Sequence, residues 1–316
     1  MIRLASVSVD LDSLKCYYRI HGLGEPPPEL ERVVLQRALG RFAELFARHQ
    51  VKATFFVIGE DVEHDPSSRA ELSALAKAGH ELANHSYSHP YDLASQSREF
   101  VEDEITRAHQ IIAEISGSAP VGFRAPGYDV SKTIFDVLMK LGYRYDSSVF
   151  PSWPYYVAKL GMMAAMRLFG QRSRSALTNP RALLAPAMPY RPGASPFVRG
   201  QSMLVELPVA VTPGLRLPVI GTSLLLAPTA ARVRLLESMR KRAFFNLELH
   251  GIDLIGADED GIPTELVQKQ PDLRVSLQHK QRALEATLDR MAPDYIIQPL
   301  CKIATRVQRE GLAKAQ

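Results

Sequence analysis

The chain contains little cysteine: Cys16 and Cys301 are the only two among 316 residues. They are too far apart for the paired spacings of cysteine metal sites, and they provide no disulfide framework, which is typical of a reducing compartment. No run of 18 apolar residues predicts a transmembrane helix. The first nine residues are too few and too polar for the hydrophobic part of a signal peptide. These absences predict a cytoplasmic protein.

The chain also lacks clusters of charge of one sign. Its 38 Lys and Arg against 34 Asp and Glu give a net charge of +4, and the basic residues are scattered along the sequence. Without a basic run, a nucleic-acid partner is not predicted. With 46% hydrophobic residues the chain can bury a large core. Its length alone suggests about two domains, although α/β barrels of this size are often single domains.

Two histidines four residues apart, His85 and His89, are the strongest chemical signal. Imidazoles at this spacing can bind one metal ion, although a solvated surface pair has the same spacing. Asp10 and Asp12 end the apolar run at the N-terminus. Side chains two apart on a strand point to the same side, so both carboxylates can face one cavity. One would bind metal and the other would transfer protons.

The order of apolar patterns predicts alternating strands and helices, which favours a parallel sheet or barrel. We predict strands at 51–57, 81–84, 121–124, 143–146, 203–208 and 244–250. We predict helices at 29–49, 69–78, 97–115, 132–141, 232–242 and 277–291, and a loop at 211–226. In such folds functional side chains collect at the carboxyl ends of the strands. The residues placed there are Asp10, Asp12, His85, Arg124 and Asp146.

Residues 151–202 interrupt this alternation with seven prolines around one apolar segment. That segment, 155–170, is rich in methionine and carries only Lys159 and Arg167 as charges. One interpretation is an ordinary core or lid helix. The other is a partly exposed lid that contacts a lipid-linked substrate or a membrane surface, because methionine suits adaptable contacts and basic flanks suit anionic headgroups.

Five short motifs occur in an order typical of one family. The chain resembles the polysaccharide deacetylases, that is, carbohydrate esterase family 4 with the NodB homology domain. The motifs are Asp10-Leu11-Asp12, His85-Ser86-Tyr87-Ser88-His89, Arg124-Ala125-Pro126-Gly127-Tyr128, Asp146-Ser147-Ser148 and Leu247-Glu248-Leu249-His250. The resemblance implies a distorted (β/α)7 barrel that forms a single catalytic domain over 1–316. Residues 151–202 lie outside the resemblance and are expected to form an insertion or lid within that domain.

The resemblance also implies a metal site. Asp12, His85 and His89 would bind a divalent metal, expected to be Zn²⁺, and would leave coordination positions open for water and substrate. Asp10 would be the general base, with its charge and orientation held by Arg124. The first motif is a variant of the adjacent aspartates common in the family, and it is typical of intracellular-type members.

The remaining implied roles concern the leaving group and the substrate. His250 would protonate the departing amine, and Asp146 would tune its pKa and tautomer. A backbone N–H near Gly127 or Tyr128 would bind the oxyanion. Trp153 follows the fourth motif at an unusual distance, seven residues on, and is predicted to contact substrate. Glu248 shares a strand face with His250, and we interpret it as a member of a buried ion pair.

These assignments predict a metal-dependent N-deacetylase, a hydrolase of carbon–nitrogen bonds other than peptide bonds. It would remove an acetyl or formyl group from an amino sugar. A cytoplasmic location favours a nucleotide-, glycolipid- or polyprenol-linked precursor, with peripheral contact to the inner membrane face through 155–170. Two alternatives remain. Two histidines and a carboxylate also bind iron in oxygenases, and the fold could serve as a non-catalytic carbohydrate-binding relic.

Overall fold

The structure is a computed structural model, and it describes residues 3–168 and 178–310. Eight strands form one parallel sheet: β1 Leu4–Asp10, β2 Thr54–Val57, β3 Glu81–Asn84, β4 Gly122–Phe123, β5 Tyr145–Asp146, β6 Val205–Glu206, β7 Phe244–His250 and β8 Ile296–Ile297. The helices include α1 Leu14–His21, α2 Leu39–Arg48, α3 Gly59–Glu63, α4 Pro66–Lys77, α5 Arg98–Ser116 and α6 Lys132–Lys140. They continue with α7 Trp153–Leu168, α8 Gly221–Leu226, α9 Thr229–Met239, α10 Thr264–Lys269, α11 Leu277–Met291 and α12 Leu300–Glu310.

The strands follow one another in the order β6-β5-β4-β3-β2-β1-β7, and β8 pairs with the first part of β1. The two end strands of this order, β6 and β7, are linked by the chain that follows β6. The backbone N–H of Ala210 in that chain donates to the carbonyl oxygen of Asn246 in β7 at 3.2 Å. The side chain of Asn246 donates to the carbonyls of Leu207 and Pro208 at 3.2 and 3.3 Å. The sheet therefore curls into a barrel that is closed on one side by irregular chain.

Strand β1 shows how the sequence divides the two faces of the sheet. Ala5, Val7 and Val9 belong to the main apolar core, which also contains side chains of the surrounding helices. Ser8 and Asp10 alternate with them and are buried on the opposite face. The inside of the barrel is therefore polar at this strand. The register aligns Asp10 with His250 of β7 and with Phe56 of β2, which brings three strand ends to one level.

Most predicted elements are present, with three differences. The predicted loop at 211–226 is wrong at its end, because residues 221–226 form α8. The predicted helix over 29–49 is interrupted: a π-helical turn at Val34–Ala38 precedes α2. Three of the predicted strands, β4, β5 and β6, are shorter than expected and have only two residues each. Across residues 3–168 and 178–310, no helix is long and apolar enough to cross a membrane.

Candidate metal centre and active site

The loop after β3 brings His85 and His89 together. Ser86 and His89 both have positive φ, at 65° and 56°, which bends the chain sharply. The buried Glu104 of α5 accepts hydrogen bonds from the backbone N–H groups of Tyr87 and Ser88 at 3.1 and 2.9 Å. The result is a ring-centroid distance of 4.8 Å between the two histidines. Backbone strain of this kind is typical of functional sites.

The tautomer of His85 follows from its backbone contact. Its Nδ1 lies 2.7 Å from the carbonyl oxygen of Arg124, so Nδ1 carries the proton and donates. The other ring nitrogen, Nε2, then faces Asp12 Oδ1 at 3.2 Å. Nε2 of His89 lies 3.5 Å from the same oxygen. Two imidazole nitrogens and one carboxylate oxygen therefore converge on one small space.

These donor atoms fit a divalent metal. Within the described part of the chain, Asp12 Oδ1 and His89 Nε2 are buried and have no hydrogen-bond partner. Leaving such a group unsatisfied costs about 1–3 kcal/mol, which a bound cation would offset. Burial lowers the pKa of His89 to about 4, so its imidazole is neutral. Burial opposes ionisation of Asp12, but His89 and His85 outweigh it and hold the Asp12 pKa below its ordinary value. Neutral imidazole and carboxylate are the ligand forms that zinc requires.

Cys16 is a neighbour of this site that the sequence did not reveal. Its sulfur, an oxygen of Asp12 and a nitrogen of His89 lie within 4.8 Å of one another. Burial, followed by the nearby charge of Asp12, raises the pKa of the Cys16 thiol well above its ordinary value. The thiol is therefore neutral, and it is a weaker ligand than the carboxylate or the imidazoles.

Asp10 is held away from the histidines by an arginine. Arg124 is fully buried, and its Nη1 donates to Asp10 Oδ1 at 2.5 Å. The rest of the guanidinium is fixed by Ser147 O at 2.8 Å and Ser8 Oγ at 3.0 Å. The other carboxylate oxygen of Asp10 is 3.9 Å from His85 Nε2. Asp10 is thus paired with a guanidinium, oriented and adjacent to the donor cluster, while Asp12 is the nearer carboxylate.

His250 lies beside Asp10 on the neighbouring strand and has an acidic partner. A ring nitrogen of His250 and carboxylate oxygens of Asp10 and Glu248 lie within 4.8 Å of one another. The Nδ1 of His250 is 3.2 Å from Glu248 Oε1, and its Nε2 is 3.3 Å from the hydroxyl of Tyr128. That hydroxyl also donates to Glu248 at 2.7 Å. Burial alone would lower the pKa of His250, but the negative charge of Glu248, with Asp12 and Asp10, raises it to about 9. The predicted ion-pair role of Glu248 is consistent with this contact, and its partner is His250.

Asp146 does not occupy the position predicted for it. Its carboxylate accepts from the backbone N–H and hydroxyl of Ser148 at 3.0 and 2.8 Å, and it is electrostatically coupled to Glu206. The prediction that Asp146 tunes His250 is therefore wrong at the level of contacts. The reason is that the next residue, Ser147, points to the side chains of Arg124 and Asn246, whose nitrogens donate to its hydroxyl at 2.9 and 3.0 Å, whereas Asp146 is bonded to Ser148. Glu248, two residues before His250 on the same strand, takes that place.

A cavity of about 420 Å³ opens over these groups. Asp10, Asp12, His85, His89 and His250 line it, together with Gly127 and Tyr128 as predicted. The other lining side chains are mainly apolar or aromatic: Tyr17, Ile20, Tyr91, Tyr155, Ala158, Lys159, Met162, Pro218, Ile220, Thr222, Ser223, Ile252, Gln270, Pro271 and Asp272. A larger groove of about 800 Å³ at the amino ends of the strands contains none of the predicted site residues.

Two predicted substrate contacts need correction. Trp153 does not line the cavity; it is 49% exposed at the start of α7. Tyr155 supplies the aromatic wall instead, with its ring 5.9 Å from that of Tyr128 and 4.8 Å from that of Phe150. The backbone N–H of Tyr128 donates to Ala125 O at 3.1 Å, so it is already used within the turn.

Helix α7 excludes one part of the first interpretation of this segment. Among its described side chains only Lys159 is buried, so α7 is not a core helix, while an ordinary lid and a lid that contacts lipid both stay predictions. Tyr155, Lys159 and Met162 face the cavity, and their spacing of four and three residues is the helical signal that could have identified them. The helix therefore forms part of the wall of the cavity at the strand ends. The predicted segment 155–170 ends in residues 169 and 170, which lie outside the described part of the chain.

Comparison with known proteins shows which family this chain resembles. Residues 36–145 match the family model described as Polysaccharide deacetylase. A 158-residue region is 28% identical to a peptidoglycan deacetylase of Helicobacter pylori and covers 49% of this chain and 53% of that protein. A 79-residue region is 37% identical to a peptidoglycan-N-acetylglucosamine deacetylase of Bacillus cereus, covering 25% and 27%. The chain therefore spans about half, or less, of the length of these curated relatives.

A solved structure from Mycobacterium smegmatis, assigned to the polysaccharide deacetylases, superimposes with a TM-score of 0.58. The match covers 99% of this chain and 93% of that one, at 17% sequence identity. At this identity the likeness concerns the fold, and it confirms the predicted distorted (β/α)7 barrel. Asp10, Asp12, Asp146 and His250 lie outside residues 36–145, so their roles depend on the motifs and on the geometry.

Proposed function

The chain belongs to the polysaccharide deacetylase family, and on that premise we propose that it is a metal-dependent hydrolase that removes an N-acyl group from an amino sugar. The acyl group would be acetyl or formyl. One observation carries the proposal. Unpartnered donor atoms of Asp12 and His89 converge with His85, beside an arginine-held carboxylate and a protonated histidine.

Asp12, His85 and His89 would hold the metal, and zinc suits this set of two imidazoles and one carboxylate. When bound, such a metal polarises a carbonyl oxygen and lowers the pKa of a water molecule. The backbone bond from His85 Nδ1 to Arg124 O fixes the ring so that Nε2 is the ligand atom. The Arg124 backbone thus orients a ligand, while the Arg124 side chain orients the base.

Asp10 would take the proton from the attacking water. The guanidinium of Arg124 binds one oxygen of Asp10 and directs the second oxygen toward the donor cluster. His250 would then donate a proton to the departing nitrogen, because an amine leaves poorly as an anion. Glu248 binds Nδ1 of His250, so the Nε2 proton is available on the cavity side.

The proposed substrate rests on the lining of the cavity and on the described activities of the relatives. The two curated relatives are described as acting on peptidoglycan, in one case on its N-acetylglucosamine. We propose an N-acylated amino sugar for this chain, carried on a cytoplasmic, lipid-linked precursor. The apolar and aromatic wall formed by Tyr91, Tyr155 and Ile220 suits the acyl group and the faces of a sugar ring.

We further propose that the outer face of α7 contacts the membrane that carries the precursor. Trp153, Val157, Leu160 and Leu168 recur at helical spacing and are 49%, 56%, 46% and 85% exposed. Co-sedimentation with phosphatidylglycerol vesicles should fall when the first three become serine. Serine at Ile296, an exposed residue of β8, is the matched control. Equal sedimentation of all three proteins, or none of the wild type, would refute membrane contact.

An acyl-release assay tests the proposed function. Metal-reconstituted protein is incubated with N-acetylated and N-formylated amino sugars, and acetate, formate and oxygen consumption are measured. Release of one equivalent of acid per free amine, without oxygen uptake, supports the hydrolase. Iron-dependent oxygen uptake would indicate an oxygenase. Sugar binding without turnover in the metal-loaded protein would indicate a non-catalytic relic.

A further inference from the structure

A buried lysine lies in the cavity wall and takes no part in the proposed reaction. Lys159 is 8% exposed, although the described side chains around it on α7 are half-buried or exposed. It lines the cavity together with Tyr155 and Met162 of the same helix. A long charged side chain on an exposed helix normally extends into solvent, since burial of an ammonium group is costly.

The ammonium group has no close partner among the described residues. No carboxylate lies within ion-pair distance of it, and no hydrogen bond from its Nζ is formed to residues 3–168 or 178–310. Burial lowers the pKa of Lys159 to about 8, and the more distant charge of Asp129 opposes this only in part. Asp129 itself accepts the backbone N–H of Asn179 at 2.9 Å. A buried cation aimed into a cavity without a partner indicates a ligand of opposite charge.

The lysine is close to the metal-binding histidines. A Cβ placed on Gly127 would lie 3.9 Å from Lys159 Nζ and 3.0 Å from the ring of Tyr91. Tyr91 in turn packs edge-on against His89, with ring centroids 4.8 Å apart. Gly127, which has a φ of +66°, leaves open the space between the lysine and this aromatic pair. A sugar bound with its acyl group at the histidines would present a neighbouring substituent to Lys159.

The cavity is also lined by an acidic residue. Asp272 is fully buried, and neither of its carboxylate oxygens has a hydrogen-bond partner among the described residues. The buried hydroxyl of Tyr17, which also lines the cavity, lacks one too. Both groups suit sugar hydroxyls, and the acidic one disfavours an anion beside it. A negative group is therefore favoured beside Lys159 of α7 rather than beside Asp272.

We propose that Lys159 forms an anion subsite that recognises a carboxylate or phosphate group on the amino-sugar substrate. The assignment of the ligand as a substrate rests on the proposed function. The five motifs predict neither an anionic ligand nor a role for Lys159, because Lys159 lies on α7, outside all of them. The chain would thereby prefer an anionic amino sugar over a neutral one.

Calorimetry on the metal-loaded Asp10→Asn protein tests the subsite without turnover. The probes are di-N-acetylchitobiose, which is neutral, N-acetylglucosamine 1-phosphate and N-acetylmuramic acid. At least one anionic probe should bind more tightly than the neutral one. Lys159→Met should reduce the ratio of anionic to neutral affinity roughly 10- to 100-fold, the range of one charge-assisted hydrogen bond. Lys159→Arg should restore part of it, because the positive charge is retained.

Arg167→Met is the matched control, since it removes a positive charge from the exposed end of the same helix. It should leave the affinity ratio unchanged. The two anionic probes distinguish a phosphate-bearing substrate from a carboxylate-bearing one. A ratio near one, or a preference that Lys159→Met leaves intact, would overturn the proposal. An equal loss of affinity for all probes in Lys159→Met and Asp129→Asn would also overturn it, because it indicates a structural pair.

A parallel assay of acetate release by the wild type separates this inference from the proposed function. No acetate from any probe, together with lysine-dependent binding of the anions, would refute the hydrolase and leave the subsite supported. Acetate release at equal kcat/KM from all three probes would refute the subsite and leave the hydrolase supported.

Discussion

Replacement of Glu248 by glutamine should change the pH dependence of the reaction. Glu248 is fully buried and its Oε1 lies 3.2 Å from His250 Nδ1. Burial lowers the pKa of His250, and Glu248 is the strongest influence raising it to about 9. Glutamine has nearly the same shape but no charge. The variant should therefore fold normally and hold a histidine that loses its proton at lower pH.

The size of the effect follows from the pKa values. His250 must be protonated to act as an acid, so activity falls as the pH rises through its pKa. Loss of the Glu248 charge should lower that pKa by about 2 units, or about 2.7 kcal/mol of proton affinity. A bound metal ion would lower the pKa of His250 in both proteins, so the difference between them is the quantity to compare. At pH 8 the variant should lose roughly tenfold or more in rate relative to pH 6.

The assay is kcat/KM for acetate release between pH 5 and 10, with metal content measured in each sample. Asp146→Asn is the control, because the structure places its carboxylate on Ser148 rather than on His250. Its basic limb should match the wild type. An unchanged basic limb in Glu248→Gln, or a downward shift in Asp146→Asn instead, would contradict the geometry described above.

Three further outcomes are expected. His89→Ala should lose both metal and activity, since a three-ligand site has no spare ligand; full occupancy by elemental analysis would remove His89 from the site. Asp10→Asn should retain metal and lose roughly 10²–10⁴-fold in kcat. If Asp10→Asn lost its metal while Asp12→Asn kept it, Asp10 would be the ligand and Asp12 the base. Arg124→Met should destabilise the fold by about 3–5 kcal/mol in urea denaturation, because it leaves Asp10 as an uncompensated buried charge; a loss below about 1 kcal/mol would indicate that Asp10 is solvated.

The sequence predicted the parts of the site that are local in the chain. His85 and His89 are brought together by their own loop, and Asp10 and Asp12 by the end of one strand, so spacing was sufficient. The strand and helix alternation predicted the barrel because each unit carries its own apolar periodicity. The predicted contact between Asp146 and His250 was wrong because it is not local in the chain. Whether Asp146 or Ser147 points toward the side chains of β7 depends on how strands distant in sequence meet inside the barrel, which no local pattern reveals.

Helix α7 shows a second limit of prediction from the sequence. Its apolar composition predicted a helix, but a core helix and a lid have similar composition, and only the packing distinguishes them. Trp153 faces outward and Tyr155 inward because of the helical phase at the first turn. Lys159 was visible as a charge in an apolar segment, although its burial was not. The functional information in this segment lies in which face meets the cavity.

Zinc titration of metal-free protein, with acetate release measured at each addition, tests directly whether the activity depends on a metal bound at the proposed site. The convergence of Asp12, His85 and His89 predicts no activity without metal and a linear rise to a plateau at one equivalent of Zn²⁺. Asp10→Asn should bind the same single equivalent and release no acetate above background. Full activity in chelated wild-type protein, or no acetate at saturating metal with any N-acyl amino sugar, would contradict a metal-dependent deacetylase at this site.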